Sequence, residues 1–258
     1  MSRLHPTFAC SRFTCAGTLD MAPGSTGLLI VSGGNEIRSG AFSGQARLAA
    51  EIARAGFPVF RFDRRGVGDS DGENRGFLKA GPDIEAALAA FAAMAPQMTR
   101  VVGFGNCDAA SALMLNGGSG LDALILSNPW TIEDTAEDTP PPAAVRSRYA
   151  EKLKNPRELA RLVTGKVDLG KLARGIGQAL KPKQAPSSLA QDMAAGLDRF
   201  DGPVRILLAT ADRTAQMFEA SWNPQDSRIA RCEKAGHAYD QPHAREWLRA
   251  QILDALRA

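Results

Sequence analysis

A short apolar strand that runs directly into a helix through a turn of small residues limits the fold of this chain more than any other feature. The strand covers residues 101–104, the turn is Gly105-Asn106-Cys107, and an alanine-rich helix follows at once. The pattern corresponds to G-x-S-x-G, with Cys in place of Ser and Ala109 in place of the last Gly. Such a turn holds Cys107 at a helix N-terminus, where the dipole and the free N–H groups favour a thiolate.

Strands and helices alternate on both sides of this turn. A hairpin is predicted over residues 7–19. Further strands are predicted at 27–31, 58–63, 121–128, 204–210 and 227–232, and helices at 45–54, 82–95 and 243–256. Repeated strand–helix alternation predicts an α/β fold with a mostly parallel sheet flanked by helices and right-handed crossovers.

The alternation stops between residues 131 and 200, where no strand is predicted. Three prolines at 140–142 form a stiff connector, and two basic, helix-prone stretches follow at 145–163 and 169–180. We therefore expect a core of residues 1–130 and 201–258 with a helical cap inserted at 131–200. The Lys and Arg residues of the cap are typical of a solvated face, and an acidic substrate or an anionic membrane surface is the alternative.

Composition excludes several classes of protein. The net charge of +3 is too small to argue for nucleic-acid binding. No apolar run approaches the ~18 residues that cross a membrane. The four cysteines show no metal-binding spacing, and the N-terminus lacks the apolar core of a signal peptide. Reduced thiols in a cytoplasmic protein, with no metal and no cofactor, are therefore expected.

Three residues beyond predicted strand ends suggest nucleophilic catalysis, which needs a nucleophile, a base and a group that orients the base. Cys107 is the candidate nucleophile, His237 follows the last predicted strand, and Asp212 follows the strand before it. Carboxyl ends of parallel strands share one edge of the sheet, where such sites form. The alternatives are an inert thiol at position 107, a surface or capping role for position 237, and three other acids: Glu219, Asp226 and Asp240.

Donors for an oxyanion are expected on both sides of Cys107. One is the backbone N–H of Asp108, and the other comes from the loop after strand 27–31, with Gly34 favoured over Asn35. Arg38 follows in the same loop and could bind an anionic group of the substrate, although a surface arginine is an equal alternative.

Two segments beside the turn resemble a known superfamily. Residues 60–70, Phe-Arg-Phe-Asp-Arg-Arg-Gly-Val-Gly-Asp-Ser, resemble the strand and loop that precede the nucleophile in α/β-hydrolases. More narrowly, residues 32–40 and 105–110 resemble exosortase A system-associated hydrolases of the first type, a bacterial family tied to exopolysaccharide loci. The resemblance implies the α/β-hydrolase fold. A cysteine at the nucleophile position is shared with dienelactone-hydrolase-like enzymes.

Together these features predict a hydrolase that acts on a small-molecule acyl ester or thioester through a Cys-His-Asp triad and a thioacyl-enzyme intermediate. Two alternatives remain open. One is acyl transfer to an acceptor other than water during exopolysaccharide modification, and the other is a non-catalytic binding module on a hydrolase scaffold.

Overall fold

The computed structural model of the chain describes residues 2–132 and 187–258. The two predicted cap helices, at 145–163 and 169–180, lie outside the described residues. The division into a core and a cap at 131–200 therefore stays a prediction.

A single sheet organises the described part of the chain, and most of its strands are parallel. Its nine strands are β1 Arg3–Leu4, β2 Thr7–Cys10, β3 Phe13–Asp20, β4 Thr26–Val31, β5 Val59–Phe62, β6 Arg100–Asn106, β7 Ala123–Ser127, β8 Val204–Ala209 and β9 Ile229–Cys232. The order is β1-β3-β5-β4-β6-β7-β8-β9, with β2 paired to β3. All pairs from β5 to β9 are parallel, whereas β1, β2 and β5 pair antiparallel with β3. The predicted α/β class and mostly parallel sheet are confirmed.

Six described α-helices cover both faces of the sheet. They are α1 Gly44–Arg54, α2 Gly81–Met94, α3 Asp108–Leu115, α4 Ser188–Leu197, α5 Arg213–Ser221 and α6 Pro242–Arg257. The helices α2 to α5 pack on one face, and α1 and α6 pack on the other. None of these helices is both long enough and apolar enough to cross a membrane.

The strands are apolar on both faces because both faces are covered. In β4, Leu29 and Val31 belong to the core under α2 and α3, whereas Leu28 and Ile30 belong to the core under α1 and α6. All four side chains are at most 1% exposed. A continuous apolar run is therefore the pattern of a doubly covered parallel strand, as the sequence indicated.

Two of these helices, α4 and α5, were not predicted from the sequence, and the central strand is longer than predicted. Helix α5 is short and begins directly after Asp212, whose carboxylate accepts a hydrogen bond from the N–H of Ala215. Strand β6 continues past residue 104 to Asn106 because its last residues still pair with β7, Asn106 with Ser127. The turn before α3 is consequently tighter than expected.

Candidate active site

Cys107 lies in the tight turn between β6 and α3, with a backbone conformation of φ 64° and ψ −131°. A positive φ is unfavourable for a residue with a side chain and typically costs about 1–3 kcal/mol. Hydrogen bonds hold the turn in place: the N–H of Cys107 donates to the Ser127 carbonyl at 2.9 Å, and its own carbonyl accepts from Ala110 at 3.1 Å. The thiol is thereby kept at the carboxyl edge of the sheet, where part of it is exposed.

Gly105 lets β6 and α3 approach closely enough to make this turn. A Cβ atom at position 105 would lie 2.7 Å from the carbonyl carbon of Ala109 and 2.8 Å from the nitrogen of Ala110. Only a hydrogen atom fits there, so the first glycine of the motif is required by packing. Ala109, which replaces the last glycine of the motif, is fully buried beneath the turn.

His237 and Asp212 meet at the same edge of the sheet. The Nδ1 atom of His237 lies 2.9 Å from Oδ2 of Asp212. Asp212 is 7% exposed. Its Oδ2 also accepts the Ala215 N–H at 3.1 Å, so capping α5 fixes the carboxylate that faces the imidazole. The pair therefore has the geometry of a base held by a buried acid.

The histidine favours its charged form in this position. The hydrogen bond with Asp212 and then a side-chain hydrogen bond with Cys107 raise the pKa of His237 to about 10, against the opposing effect of burial. The imidazole therefore favours its protonated form beside the Asp212 carboxylate. The structure thus pairs His237 with Asp212, and the side chain of Cys107 acts on the same imidazole.

Two asparagines, which the sequence analysis did not single out, join the loop of His237 to the turn. The side-chain amide of Asn128 donates to Asn106 Oδ1 at 2.9 Å and to the His237 carbonyl at 3.4 Å. Asn106 donates to the same carbonyl at 3.3 Å, and Asn128 Oδ1 accepts the Ala209 N–H at 2.8 Å. Asn128 is fully buried. Its place at the end of β7 was the available signal, since polar residues at strand ends face this edge.

The candidate oxyanion donors lie together, but one of them is already engaged. The N–H of Gly34 donates to Oδ1 of Asp108 at 2.6 Å. The backbone N–H groups of Asp108 and Asn35 make no hydrogen bond to another described residue. The loop after β4 thus reaches the turn as the sequence suggested, and the Asp108 carboxylate occupies the N–H of Gly34.

Arg38 and two of the three alternative acids have other partners. The guanidinium of Arg38 pairs with buried Asp63 and with Asp69 and donates to Thr18. These contacts give Arg38 a structural role, and its substrate role stays a prediction. Asp226 pairs with Arg228, and Glu219 pairs with Arg231.

A second cluster of polar side chains lies under the N-terminal hairpin. The ligand atoms of Cys10, Cys15 and Asp83 lie within 4.8 Å of one another, and all three residues are buried. Arg65 already donates to both oxygens of Asp83, at 2.8 and 3.0 Å. Burial is the main cause that raises the pKa of the Cys15 thiol to about 11. A bound guanidinium and protonated thiols suit a packed core better than a cation.

The sheet order, with a strand–turn–helix elbow at its carboxyl edge, defines an α/β-hydrolase fold. The chain belongs to the alpha/beta hydrolase family, whose model matches residues 28–250. No curated protein sequence matches the chain.

Solved structures share the fold at low sequence identity. The α/β hydrolase GrgF from Penicillium sp. sh18 is 15% identical, with a TM-score of 0.65 over 100% of this chain and 98% of that one. The esterase Pf2001 of Pyrococcus furiosus is 14% identical, with a TM-score of 0.60 over 99% and 92%. Est1E of Butyrivibrio proteoclasticus, solved with ferulic acid, is 15% identical, with a TM-score of 0.61 over 98% and 100%.

Proposed function

We propose that this hydrolase cleaves acyl esters or thioesters, with Cys107 as nucleophile, His237 as proton carrier and Asp212 as the acid that orients it. The observation that carries the proposal is the 2.9 Å contact of buried Asp212 with His237, whose pKa is also raised by the side chain of Cys107 in its strained turn. A thiol that served only to fill space would not need the strained positive φ that Cys107 has.

The reaction would proceed in two steps. The Cys107 thiolate attacks the acyl carbonyl, and the imidazolium of His237 gives its proton to the departing alcohol or thiol, which leaves Cys107 acylated. Neutral His237 then takes a proton from water as the oxygen attacks the thioester. The C–S bond breaks, the carboxylic acid departs, and Cys107 and His237 return to their starting state. A thiolate is a good leaving group, so activated esters, lactones and thioesters suit this site better than amides.

The proposal is tested by incubating the protein with a panel of activated esters and thioesters and measuring the mass of the intact protein. We expect an acyl adduct on Cys107 during turnover. In a second measurement, iodoacetamide should modify Cys107 at least tenfold faster than Cys10, Cys15 or Cys232, because those three thiols are at most 3% exposed. Equal labelling of Cys107 and Cys232, with no adduct from any ester, would favour a non-catalytic binding module.

The carboxylate of Asp108 has to leave Gly34 before that N–H can hold an oxyanion. Replacing Asp108 with Ala frees this donor. It also removes a negative charge next to the negative charge that develops on the oxyanion. An oxyanion donor of this kind contributes about 10²–10³ to the rate. We expect Asp108→Ala to raise the rate of Cys107 acylation by p-nitrophenyl acetate about tenfold in stopped-flow bursts. A slower burst would show that Asp108 instead supports the loop, and Asp201→Ala is the control on an exposed acid remote from the turn.

Transfer and hydrolysis share the first step of this mechanism and differ in the acceptor. The narrower resemblance of residues 32–40 and 105–110 to exosortase-associated hydrolases supports a saccharide acceptor as the second candidate. The ratio of acylated sugar to free acid, with a polysaccharide fragment present, separates the two.

A further inference from the structure

A pocket opens beside His237, between α1 and α6, and the proposed chemistry as stated does not use it. Its volume is about 160 Å³, and both Asn106 and His237 line it. We propose that this pocket binds the leaving group of the substrate, and that the group is an uncharged aromatic ring or an aliphatic group of that size. This inference rests on the proposed function.

The chemistry decides which part of the substrate enters the pocket. In the first step His237 gives its proton to the departing oxygen or sulfur, so the leaving group has to lie on the side of His237. Asn106, the residue before Cys107, lines the pocket together with His237, whereas Cys107 itself does not line it. In the proposed arrangement, the leaving group of an acyl carbon held at the thiol passes His237 into the pocket, and the acyl chain points away from it.

The lining of the pocket selects an apolar group of limited size. Its buried residues are Phe104, Tyr239 and Leu248, exposed by 3%, 2% and 8%. Leu48 of α1 forms part of the wall. A cavity of about 150 Å³ with apolar walls holds one benzene ring, so a single ring matches the size of this pocket. Acidic and basic side chains both stand among its other lining residues, which favours neither an anion nor a cation: Glu36, Arg47, Glu51, Asp240 and Arg245.

Phe42 lies at the same pocket and is 83% exposed. Both Phe42 and Ser43 have positive φ, 52° and 57°, in the segment that leads into α1. An exposed phenyl ring held by an unfavourable backbone has no packing role within the described residues. Contact with an aromatic leaving group would bury it, and aromatic pairs contribute beyond the area they bury.

The inference is tested with S-benzyl and S-ethyl thioacetate, which differ only in the leaving group. Leu48→Trp fills the pocket, and we expect it to lower the ratio of kcat/KM for the benzyl over the ethyl substrate at least tenfold. Phe42→Ala should raise KM for the benzyl substrate more than for the ethyl one. Arg54→Trp places the same side chain on an exposed position of α1 outside the pocket, and should leave both rates unchanged.

A ratio unchanged in Leu48→Trp would overturn the leaving-group pocket while the proposed function stands. If wild-type protein hydrolyses neither substrate, the proposed function fails. Binding of benzyl alcohol, measured by saturation-transfer NMR, then tests separately whether the pocket binds an aromatic ring. Binding that Leu48→Trp abolishes and Arg54→Trp retains would still support an aromatic site, and binding equal in both variants would refute it.

Discussion

Replacing Cys107 with alanine is expected to lower kcat for activated esters by about 10⁴- to 10⁶-fold, because a site that works through a covalent intermediate loses that path entirely. No acyl adduct should appear by intact mass. The rate is measured with p-nitrophenyl acetate. The fold should persist, since the thiol is only partly buried and alanine removes one atom.

A matched variant separates the thiol from the turn that holds it. Cys107→Ser keeps the size and the strained backbone but substitutes a hydroxyl, which His237 has to deprotonate during the attack. We expect activity between wild type and Cys107→Ala, and a pH profile that differs from wild type. Equal turnover in all three proteins would contradict the nucleophile assignment, and Cys232→Ala controls for loss of a buried thiol.

Replacing Asp212 with alanine is expected to lower kcat/KM by about 10⁴-fold, because the acid of such a triad both orients and charges its histidine. The same change removes the cap of α5, which costs about 1 kcal/mol of stability, measured by urea unfolding. Asp212→Asn keeps an oxygen for the Ala215 N–H but not the charge. It should recover most of the stability and little of the activity. Recovery of both would show that Asp212 acts only as a helix cap.

The difference in stability between wild type and the Asp212 variants is also expected to depend on pH. The pKa of His237 is raised from 6.5 to about 10 in the folded protein. The charged imidazole therefore stabilises the folded protein fully below pH 6.5, and this stabilisation is lost as pH rises through about 10. The difference in Tm between wild type and Asp212→Asn should therefore narrow between pH 6.5 and 10. It is expected to be small, because 41% of the His237 side chain is exposed to solvent.

Much of the architecture follows from local pattern. Continuous apolar runs identified the buried strands, because strands covered on both faces have no polar side. The Gly105-Asn106-Cys107 turn stood out for a related reason: a glycine is needed where strand and helix backbones meet, and the contact at Ala109 shows this directly. Helix α5, whose cap is the local contact of Asp212 with the N–H of Ala215, was missed because it has only nine residues.

By itself the sequence determined the α/β class, the turn at Cys107 and the strand ends on which Asp212 and His237 lie, because these depend on neighbours along the chain. Which atoms meet was decided only in the tertiary structure. The meeting of Asp212 with His237, the engagement of Gly34 by the Asp108 carboxylate and the Asn106–Asn128 contacts all join residues 22 to 74 positions apart. Contacts between residues so far apart in the sequence depend on the packing of the whole sheet, which no local pattern of residues encodes.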